Sequence, residues 1–498
     1  MKYQSTRNKS VLVNSALAIK RGISPEGGLY VPSDIPLVSL DDIKKLSGMK
    51  YTQRAASILG LYLTDYTSDE LDTCASLAYA KEKFETENTA PLYHLNDTAS
   101  ILELWHGPTC AFKDMALQIL PHLLTNAIRK TGENHEVVIL VATSGDTGKA
   151  ALEGFKDVDG TKIQVFYPVD GVSQIQKLQM TTQEGSNVCV CAVEGNFDDA
   201  QTGVKKIFTN EDYKSTLADR GYVLSSANSI NWGRLVPQIV YYFSAYCDMY
   251  TSGKINLGDK INIVVPTGNF GNILAAFYAK SMGLPVNKLI CASNSNNVLT
   301  EFIKTGTYDR NRSFFTTISP SMDILISSNL ERLLYHLSGC DDALVSSYMN
   351  ELNEKGSYTV SDEIKDKINE VFVAGCCDDK ATIETISDTF KKYSYVIDTH
   401  TAVAVNVYEK YAKDSADTTP TVIASTANPF KFNEAVITAI APDINLSDKS
   451  EFDLLDILSK EGNITIPRQL AELKDKAPRF NTVCEKENMI NQTDEFLK

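Results

Sequence analysis

The sequence has few glycines and prolines and no long hydrophobic run. Of its 498 residues, 27 are glycine and 16 are proline, whereas 43% are hydrophobic. Such a composition excludes wholesale disorder and a collagen-like structure. The longest charge-free stretches contain Asn, Pro and Gly, so no transmembrane helix is predicted. The first ten residues carry Lys2, Arg7 and Lys9 without an apolar core, and they predict no secretory signal.

Cysteine is also sparse, with ten in the chain and no CxxC pair. Cys189 and Cys191 lie two positions apart, and Cys376 and Cys377 are adjacent. These spacings fit neither a zinc knuckle nor a redox motif, and no metal site is predicted. We expect the cysteines to be mostly buried small apolar residues in a protein of a reducing compartment, the cytoplasm.

The sequence has fewer basic than acidic residues. The chain has 48 lysines and arginines against 63 acidic residues, which gives a net charge of −15. This balance argues against nucleic acid or an anionic membrane as a partner. An anionic small molecule remains compatible with it, because a local basic pocket can lie in an acidic protein. The length predicts about three domains, and the sequence indicates no particular oligomeric state.

Four apolar, β-branched runs each meet a loop rich in glycine, serine, threonine or asparagine. The runs occupy residues 137–141, 189–193, 261–265 and 421–424. Helix-like segments follow the first three, and we expect one after the fourth. This repetition is typical of parallel α/β sheets, in which ligands bind where strands end and helices begin. Elsewhere, a helix is predicted over 10–22, and the charged, helix-like segment 341–395 is predicted to break at Gly375, Cys376 and Cys377.

A glycine-rich loop follows the third run and opens a predicted helix over 273–281. Glycines let a backbone approach a ligand, and the first amides of a helix point toward it, so this loop suits a phosphate. A plain strand-to-helix turn is the alternative. The loop consists of Gly268, Asn269, Phe270, Gly271 and Asn272.

The loop after the first run suits a carboxylate rather than a nucleotide. A Walker A motif would need glycine at position 143 and serine or threonine at position 150, where Thr143 and Ala150 stand. The small hydroxyls and amides of this loop, at the start of a predicted helix, can still bind a smaller anion.

Lys113 lies beside Phe112 and within two positions of Ala111 and Met115. A lysine in an apolar pocket loses its proton more readily and becomes a nucleophile for an aldehyde. The alternative is a surface lysine that begins a helix and pairs with Asp114.

The segment 225–234 is rich in hydrogen-bonding side chains and ends at Arg234. The guanidinium group of an arginine can bind a phosphate with two parallel hydrogen bonds. A polar helix cap is the alternative interpretation of this segment.

Taken in order, these and other segments resemble the threonine synthase family of pyridoxal-phosphate-dependent enzymes, in its longer bacterial and fungal type. Their order and number carry the resemblance, rather than any single motif. The similar segments are 3–7, 27–32, 106–109, 112–114, 144–148, 196–199, 226–231, 318–330, 398–403 and 425–427.

The resemblance implies an α/β fold of the pyridoxal-phosphate fold type II, with two parallel-sheet domains and a helical N-terminal domain. The expected N-terminal domain covers 1–85, and a C-terminal segment covers 446–498. A large cofactor domain is expected over 86–120 and 235–445, with a probable insertion at 341–395, and a small α/β domain over 121–234. The cleft between the last two would hold the cofactor.

The resemblance also implies the chemistry, in which Lys113 forms a Schiff base with pyridoxal phosphate. Thr426 would face the pyridine nitrogen. The cofactor phosphate would be bound by Gly268, Asn269, Phe270, Gly271 and Asn272. The substrate carboxylate would be bound by Thr143, Ser144 and Thr147. The substrate phosphate would be bound by Ser226, Asn228 and Arg234.

The implied reaction converts O-phospho-L-homoserine and water to L-threonine and phosphate, the last step of threonine biosynthesis, catalysed by a carbon–oxygen lyase. One alternative is a phospho-lyase on the same fold that releases 2-oxobutyrate and ammonia. The other is a non-catalytic ligand-binding relative, against which the presence of Lys113 argues. Two positions depart from the family pattern: Asn428 stands where histidine is expected, and Asn8 where glycine is common.

Overall fold

The computed structural model of the chain describes residues 1–143, 145–170 and 172–498, without the side chain of Asp198. The strands are β1 (Tyr3–Ser5), β2 (Asn8–Val13), β3 (Tyr30–Pro32), β4 (Leu92–His94), β5 (Ala99–Glu103), β6 (Glu136–Ala142), β7 (Thr161–Pro168), β8 (Val188–Val193), β9 (Tyr222–Ser225), β10 (Ile261–Pro266), β11 (Val286–Ser293), β12 (Thr307–Asp309), β13 (Ser357–Thr359), β14 (Phe372–Cys376), β15 (Thr421–Ser425) and β16 (Val483–Cys484).

The α-helices are α1 (Ser15–Arg21), α2 (Leu40–Ser47), α3 (Tyr51–Tyr62), α4 (Ser68–Ala78), α5 (Asp114–Leu117), α6 (Leu120–Lys130), α7 (Asp146–Phe155), α8 (Gln174–Thr181), α9 (Phe197–Thr209), α10 (Glu211–Asp219), α11 (Trp232–Thr251), α12 (Gly271–Ser281), α13 (Val298–Thr305), α14 (Leu330–Leu337), α15 (Asp342–Lys355), α16 (Asp362–Val371), α17 (Asp379–Tyr393), α18 (Thr399–Ser415), α19 (Asn433–Ile440), α20 (Glu451–Gly462), α21 (Arg468–Ala471) and α22 (Met489–Phe496). Short 3-10 helices cover Pro320–Met322, Pro429–Phe432, Glu472–Asp475 and Lys486–Asn488.

A six-stranded sheet has the strand order β14-β11-β10-β15-β5-β4. Its neighbours pair in parallel except at β4, which is antiparallel to β5. Every residue of β10 and β15 is buried, because other elements cover both faces of the sheet. The runs at 261–265 and 421–424 are therefore confirmed as adjacent inner strands.

A second sheet has five parallel strands in the order β16-β8-β7-β6-β9. The runs at 137–141 and 189–193 are confirmed as β6 and β8, and the α/β class is confirmed with them. The edge strand β16 comes from the end of the chain, where the Sγ atom of Cys484 lies 3.5 Å from that of Cys191. The domain boundaries given above stay a prediction.

The predicted helix over 10–22 is wrong at its beginning. Residues 8–13 form β2, which pairs with β1, and the helix α1 begins only at Ser15. The run Val11, Leu12, Val13 favours a strand, and the side chain of Asn14 caps the helix by accepting a hydrogen bond from the N–H of Leu17 at 2.9 Å.

Helix α11 is buried along nearly its whole length and joins the N-terminal region to the six-stranded sheet. The ring of Trp232, at its start, lies 5.3–5.5 Å from the rings of Tyr3, Tyr62 and Tyr278. No helix in the described part of the chain is both long and apolar enough to cross a membrane.

The helix-like segment 341–395 is interrupted at residues 375–377 as predicted, but the interruption includes a strand, between the end of α16 at Val371 and the start of α17 at Asp379. Gly375 and Cys376 belong to β14, which pairs in parallel with β11 at the edge of the six-stranded sheet. A Cβ atom at Gly375 would lie 2.9 Å from a methyl group of Val407, so glycine marks close packing here. The ten cysteines are all among the described residues, and none of them is in a disulfide.

Candidate active site

Lys113 lies just before α5, in a segment tied to the end of β15. The backbone N–H of Phe112 donates to the carbonyl oxygen of Thr426 at 2.8 Å, and the N–H of Asn428 donates to that of Cys110 at 3.0 Å. The two segments thus form a short antiparallel bridge. It places Lys113 and Thr426 at the same carboxyl edge of the six-stranded sheet, the edge where α/β proteins bind ligands.

The residues before Lys113 are held by a buried carboxyl group. Asp114 is fully buried and accepts hydrogen bonds from both the N–H and the hydroxyl of Thr109 at 2.8 Å. A Cβ atom at Gly107 would lie within 2.6–2.9 Å of the Asp114 side chain, so only glycine fits there. Burial raises the pKa of Asp114 to about 7. Asp114 thus fixes the loop through Thr109, and Lys113 has a different carboxylate partner.

That partner is Asp146, at the first position of α7. The Nζ atom of Lys113 lies 3.6 Å from Oδ2 of Asp146, and the Lys113 side chain is only 10% exposed. Burial lowers the pKa of Lys113, Asp146 opposes this effect, and the positive charges of Arg234 and Lys431 add to it. The interpretation of Lys113 as a buried, reactive lysine is thus favoured over that of a surface lysine.

Lys431 forms an ion pair with the other carboxylate oxygen of Asp146. Its side chain is fully buried, and its Nζ lies 2.5 Å from Oδ1 of Asp146 and donates to the carbonyl oxygen of Thr109 at 3.0 Å. Gln176 donates to the same carboxylate at 2.9 Å. Despite burial, which raises it, the pKa of Asp146 lies well below its usual value because of Lys431 and Lys113. Asp146 is therefore a buried carboxylate between two lysines.

The glycine-rich loop connects β10 to α12 as predicted. Phe270 has a φ of 64°, a left-handed conformation that is uncommon outside glycine, and it turns the chain into the first turn of α12. The first N–H groups of that helix have no partner within it. The side-chain nitrogen of Asn272 is buried and without a hydrogen-bond partner in the described structure. Donors of this kind at a helix N-terminus suit a phosphate group, and phosphate binding by this loop stays a prediction.

The segment before α14 packs around this loop. The hydroxyl of Ser327 donates to the carbonyl oxygen of Gly268 at 2.9 Å, and the side chain of Asn329 donates to that of Asn269 at 3.0 Å. With its carbonyl groups bound in this way, the loop keeps its N–H groups for an anion.

The predicted carboxylate-binding residues lie at the start of α7. The hydroxyl of Thr143 accepts hydrogen bonds from the N–H groups of Gly145 at 3.0 Å and Gly148 at 2.9 Å, so it shapes the loop from within. Thr147 is half-buried in the first turn of α7. Ser144 lies outside the described residues. Carboxylate binding by this loop stays a prediction.

Of the predicted phosphate-binding residues, Ser226 and Asn228 lie between β9 and α11, and Arg234 lies in the first turn of α11. Ser226 and Asn228 are half-buried, and the Ser226 hydroxyl accepts from the N–H of Asn228 at 3.2 Å. Arg234 is buried, and one nitrogen of its fork donates to the carbonyl oxygen of Ala227 at 2.9 Å. Burial lowers the pKa of Arg234 to about 10. Its charge lies close enough to Lys113 to act on its pKa.

The motif analysis missed three residues that the structure places around the site: Asp146, Lys431 and Asn329. Lys431 lies between Phe430 and Phe432, which is the same signal of a lysine among apolar residues that singled out Lys113. Asp146 carried no separate signal, because an acid in the first turn of a helix is common.

Comparison with known proteins gives consistent matches. A family model described as threonine synthase N terminus matches residues 2–79, one described as pyridoxal-phosphate dependent enzyme matches 90–427, and one described as threonine synthase, C-terminal, matches 401–493. Threonine synthase from Pseudomonas aeruginosa is 36% identical over 475 residues, 95% of this chain and 97% of that protein. The crystal structure of PLP-bound threonine synthase from Brucella melitensis superposes with a TM-score of 0.87 at 35% identity, covering 100% of this chain and 98% of that one.

A second group of relatives is longer. Threonine synthase-like 1 from Homo sapiens is 41% identical over 449 residues, which are 88% of this chain and 60% of that protein. The chain thus spans less than two thirds of the length of these relatives, although it spans nearly all of the Pseudomonas protein.

Proposed function

The chain belongs to the threonine synthase family of pyridoxal-phosphate-dependent enzymes, and from this we propose that it converts O-phospho-L-homoserine and water to L-threonine and phosphate. The family and the fold type II class predicted from the motifs are confirmed. The observation that carries the proposed activity is a buried lysine, Lys113, at the same sheet edge as a glycine-rich helix N-terminus. The reaction is a carbon–oxygen lyase step that ends threonine biosynthesis.

The residues present fit pyridoxal phosphate. The loop 268–272 would bind its phosphate through the first N–H groups of α12, Lys113 would bind its aldehyde carbon, and the Thr426 hydroxyl would face its ring nitrogen. When bound, the cofactor supplies an electron sink for negative charge that develops on the substrate carbon next to the amino group. Position and proton transfer are left to the protein.

Lys113 is the group that moves protons in this proposal. Once the substrate amine has displaced it, its free amine takes the proton from the α carbon and, after passing that proton on, takes a second proton from the β carbon of the substrate. Phosphate leaves from the γ carbon with one proton, and a proton is delivered to the γ carbon. Water then adds its hydroxyl group at the β carbon, and the α carbon is protonated again to give threonine. Because the side chain of Lys113 is nearly buried, bulk water does not compete for these protons.

Two anion sites would fix the substrate. Thr143, Ser144 and Thr147, in the segment that leads into α7, would bind the carboxylate. Arg234, with Ser226 and Asn228, would bind the substrate phosphate. A small molecule held at both ends presents one carbon at a time to the Lys113 amine.

We place this reaction in the cytoplasm and propose no nucleic-acid or membrane partner. The net charge of −15 supports the second part, and ten cysteines without a disulfide support a reducing compartment. The small-molecule substrate is the partner that the site is built for.

The test is the product formed from O-phospho-L-homoserine by the wild type, Lys113→Ala and the control Lys20→Ala. Lys20 is also a largely buried lysine with a carboxylate partner, Glu133 at 3.0 Å, but it lies in α1. We expect threonine and phosphate from the wild type and the control, and neither from Lys113→Ala. Release of 2-oxobutyrate and ammonia would establish the phospho-lyase instead. Absence of any product from protein loaded with cofactor would favour a ligand-binding relative.

A further inference from the structure

Lys431 is buried in a position that neither the motifs nor the comparisons assign to any role. It lies on the 3-10 helix Pro429–Phe432, and its side chain has no exposed surface. Its Nζ forms an ion pair with Asp146 at 2.5 Å, the shorter of the two lysine contacts of that carboxylate. The Nζ of Lys113 lies farther away, at 3.6 Å from the second oxygen.

The positions of Lys431 and Lys113 around Asp146 bear on which of the two lysines is protonated. A buried carboxylate is costly unless a cation is paired with it. Without Lys431, Lys113 would be the remaining ion-pair partner of Asp146 within the described residues. An opposite charge stabilises the ammonium form of a lysine, and that form is neither a nucleophile nor a base.

We propose that Lys431 is a positioning residue for the reaction. Its ammonium group forms the closer ion pair with the Asp146 carboxylate, so the amine of Lys113 can stay neutral and free to react. The inference rests on the proposed function for the identity of Lys113 as the reacting amine. Lys431 itself acts only through Asp146.

The backbone around Lys431 holds it in place. The side chain of Asn428 accepts a hydrogen bond from the N–H of Phe430 at 3.0 Å, and the carbonyl oxygen of Asn428 accepts from the N–H of Lys431 at 3.0 Å. The ring of Phe432 packs against His400, with ring centres 4.7 Å apart. Lys431 thus lies in a turn that is capped by Asn428 and held by the packing of the Phe432 side chain.

Other titratable groups around the pair do not replace Asp146. Cys110 and Asp114 lie on the segment that carries Lys113, and burial raises the pKa of both, that of Asp114 to about 7. Their acidic neighbours Glu85 and Glu153 raise these values further. Arg234, on α11, adds a positive charge that lowers the pKa of Lys113. Asp146 is therefore the carboxylate closest to both lysines.

The test measures the pKa of the Lys113 amine rather than turnover. In the full-length protein freed of cofactor, acetic anhydride labels amines across a pH series, and mass spectrometry follows the peptide that contains Lys113. In the loaded protein, the pH dependence of the cofactor absorption reports on the same nitrogen. The variants are Lys431→Met, Lys431→Arg, Asp146→Asn and the Lys431→Met/Asp146→Asn double variant, with Lys20→Met as the matched control.

We expect Lys431→Met to raise the pKa of Lys113 by about one unit, which lowers its labelling at neutral pH about tenfold. Lys431→Arg keeps the charge and should stay close to the wild type. Asp146→Asn leaves the Lys431 charge unopposed and should lower the pKa of Lys113. The double variant should return toward the wild type, because the charge that Lys431 opposes is then absent.

An unchanged pKa in Lys431→Met, or a double variant that shifts as far as Lys431→Met alone, would overturn the proposal. If Lys431→Met does not fold, the opposite shift in Asp146→Asn and the retained value in Lys431→Arg still decide it. A wild type that forms no threonine while these shifts appear would refute the proposed function alone. Threonine formation without the shifts would refute only the role of Lys431.

Discussion

The imidazole ring of His400 accepts a hydrogen bond from the backbone N–H of Ser321 at 3.1 Å, while its other nitrogen lies 2.9 Å from Asp398. A neutral ring with its proton on Nδ1 satisfies both contacts. Ser321 lies against the glycine-rich loop, where a Cβ atom at Gly268 would come within 2.7 Å of the Ser321 carbonyl oxygen. His400 therefore holds the Ser321 backbone, which packs against the predicted phosphate-binding loop at Gly268.

Replacing His400 should make the Ser321 backbone less firmly held against the predicted phosphate-binding loop. We expect His400→Ala to raise the dissociation constant for pyridoxal phosphate about tenfold, the equivalent of one or two lost buried hydrogen bonds. Titration of cofactor into cofactor-free protein measures it. His122→Ala is the control, because His122 is a half-buried histidine on α6. Equal affinities in the two variants would show that His400 does not support the loop.

Gly107 should tolerate no side chain. An added Cβ atom would overlap the buried Asp114, so Gly107→Ala must displace the carboxyl group that holds Thr109. We expect the free energy of unfolding to fall by about 1–3 kcal/mol, as measured by denaturant titration. In Gly60→Ala, the new Cβ atom would meet Leu71 at an ordinary 3.6 Å inside α3, and stability should hold or rise. A Gly107→Ala protein as stable as Gly60→Ala would contradict the overlap.

Asp114 should make stability depend on pH. Burial raises its pKa from 3.8 to about 7, so the folded protein keeps a proton that the unfolded chain loses. The stability contributed by this proton is fully present below the unfolded value and is lost as the pH rises through the folded value. From about pH 5 to about pH 7, the free energy of unfolding relative to Asp114→Asn should fall by about 1.4 kcal/mol per pH unit. A pH-independent difference would show that Asp114 is ionised throughout.

Much of the fold could be predicted because its central strands are covered on both faces. Such strands appear in the sequence as unbroken apolar runs, and all four predicted runs are strands. The edge elements were harder. β2 lies at the edge of a small three-stranded sheet beside β1, and its local pattern favoured a helix. β14 lies at the edge of the six-stranded sheet beside β11, which is distant in the chain, so the local pattern indicated only a break in a helix-like segment.

In the candidate site, too, the features formed by neighbouring residues could be predicted, whereas the contacts between distant segments could not. The glycine-rich loop is a local feature, because a left-handed residue and a helix start follow one another along the chain. The contacts of Asp146 with Lys113 and Lys431 join three separate segments, and nothing in any one segment indicates the other two. The motifs placed Lys113 at the centre through a family resemblance, whereas its electrostatic partners required the folded chain.

Arg234 should affect substrate affinity by binding the phosphate group of the substrate. We expect Arg234→Lys to raise the KM for O-phospho-L-homoserine about tenfold or more with a smaller change in kcat, because an ammonium group keeps the charge but loses the planar fork. Inhibition by inorganic phosphate should weaken in parallel. Arg54→Lys is a suitable comparison, since Arg54 is a buried arginine that pairs with Asp248 on α11, away from Lys113. A fall in kcat with unchanged KM and unchanged phosphate inhibition would place Arg234 elsewhere in the reaction.

Asn428, at a position where the motif resemblance predicts histidine, should matter as a cap. Its side chain binds the N–H of Phe430 and so begins the turn that carries Lys431. Asn428→Ala should cost about 0.5–2 kcal/mol of stability and, because Lys431 then moves, should lower kcat with little change in KM. Asn428→Ser keeps a capping oxygen and should recover most of both, as measured by denaturant unfolding and steady-state kinetics. If serine fails to restore kcat while it restores stability, the amide itself has a role in the site, and the cap does not explain this departure from the family.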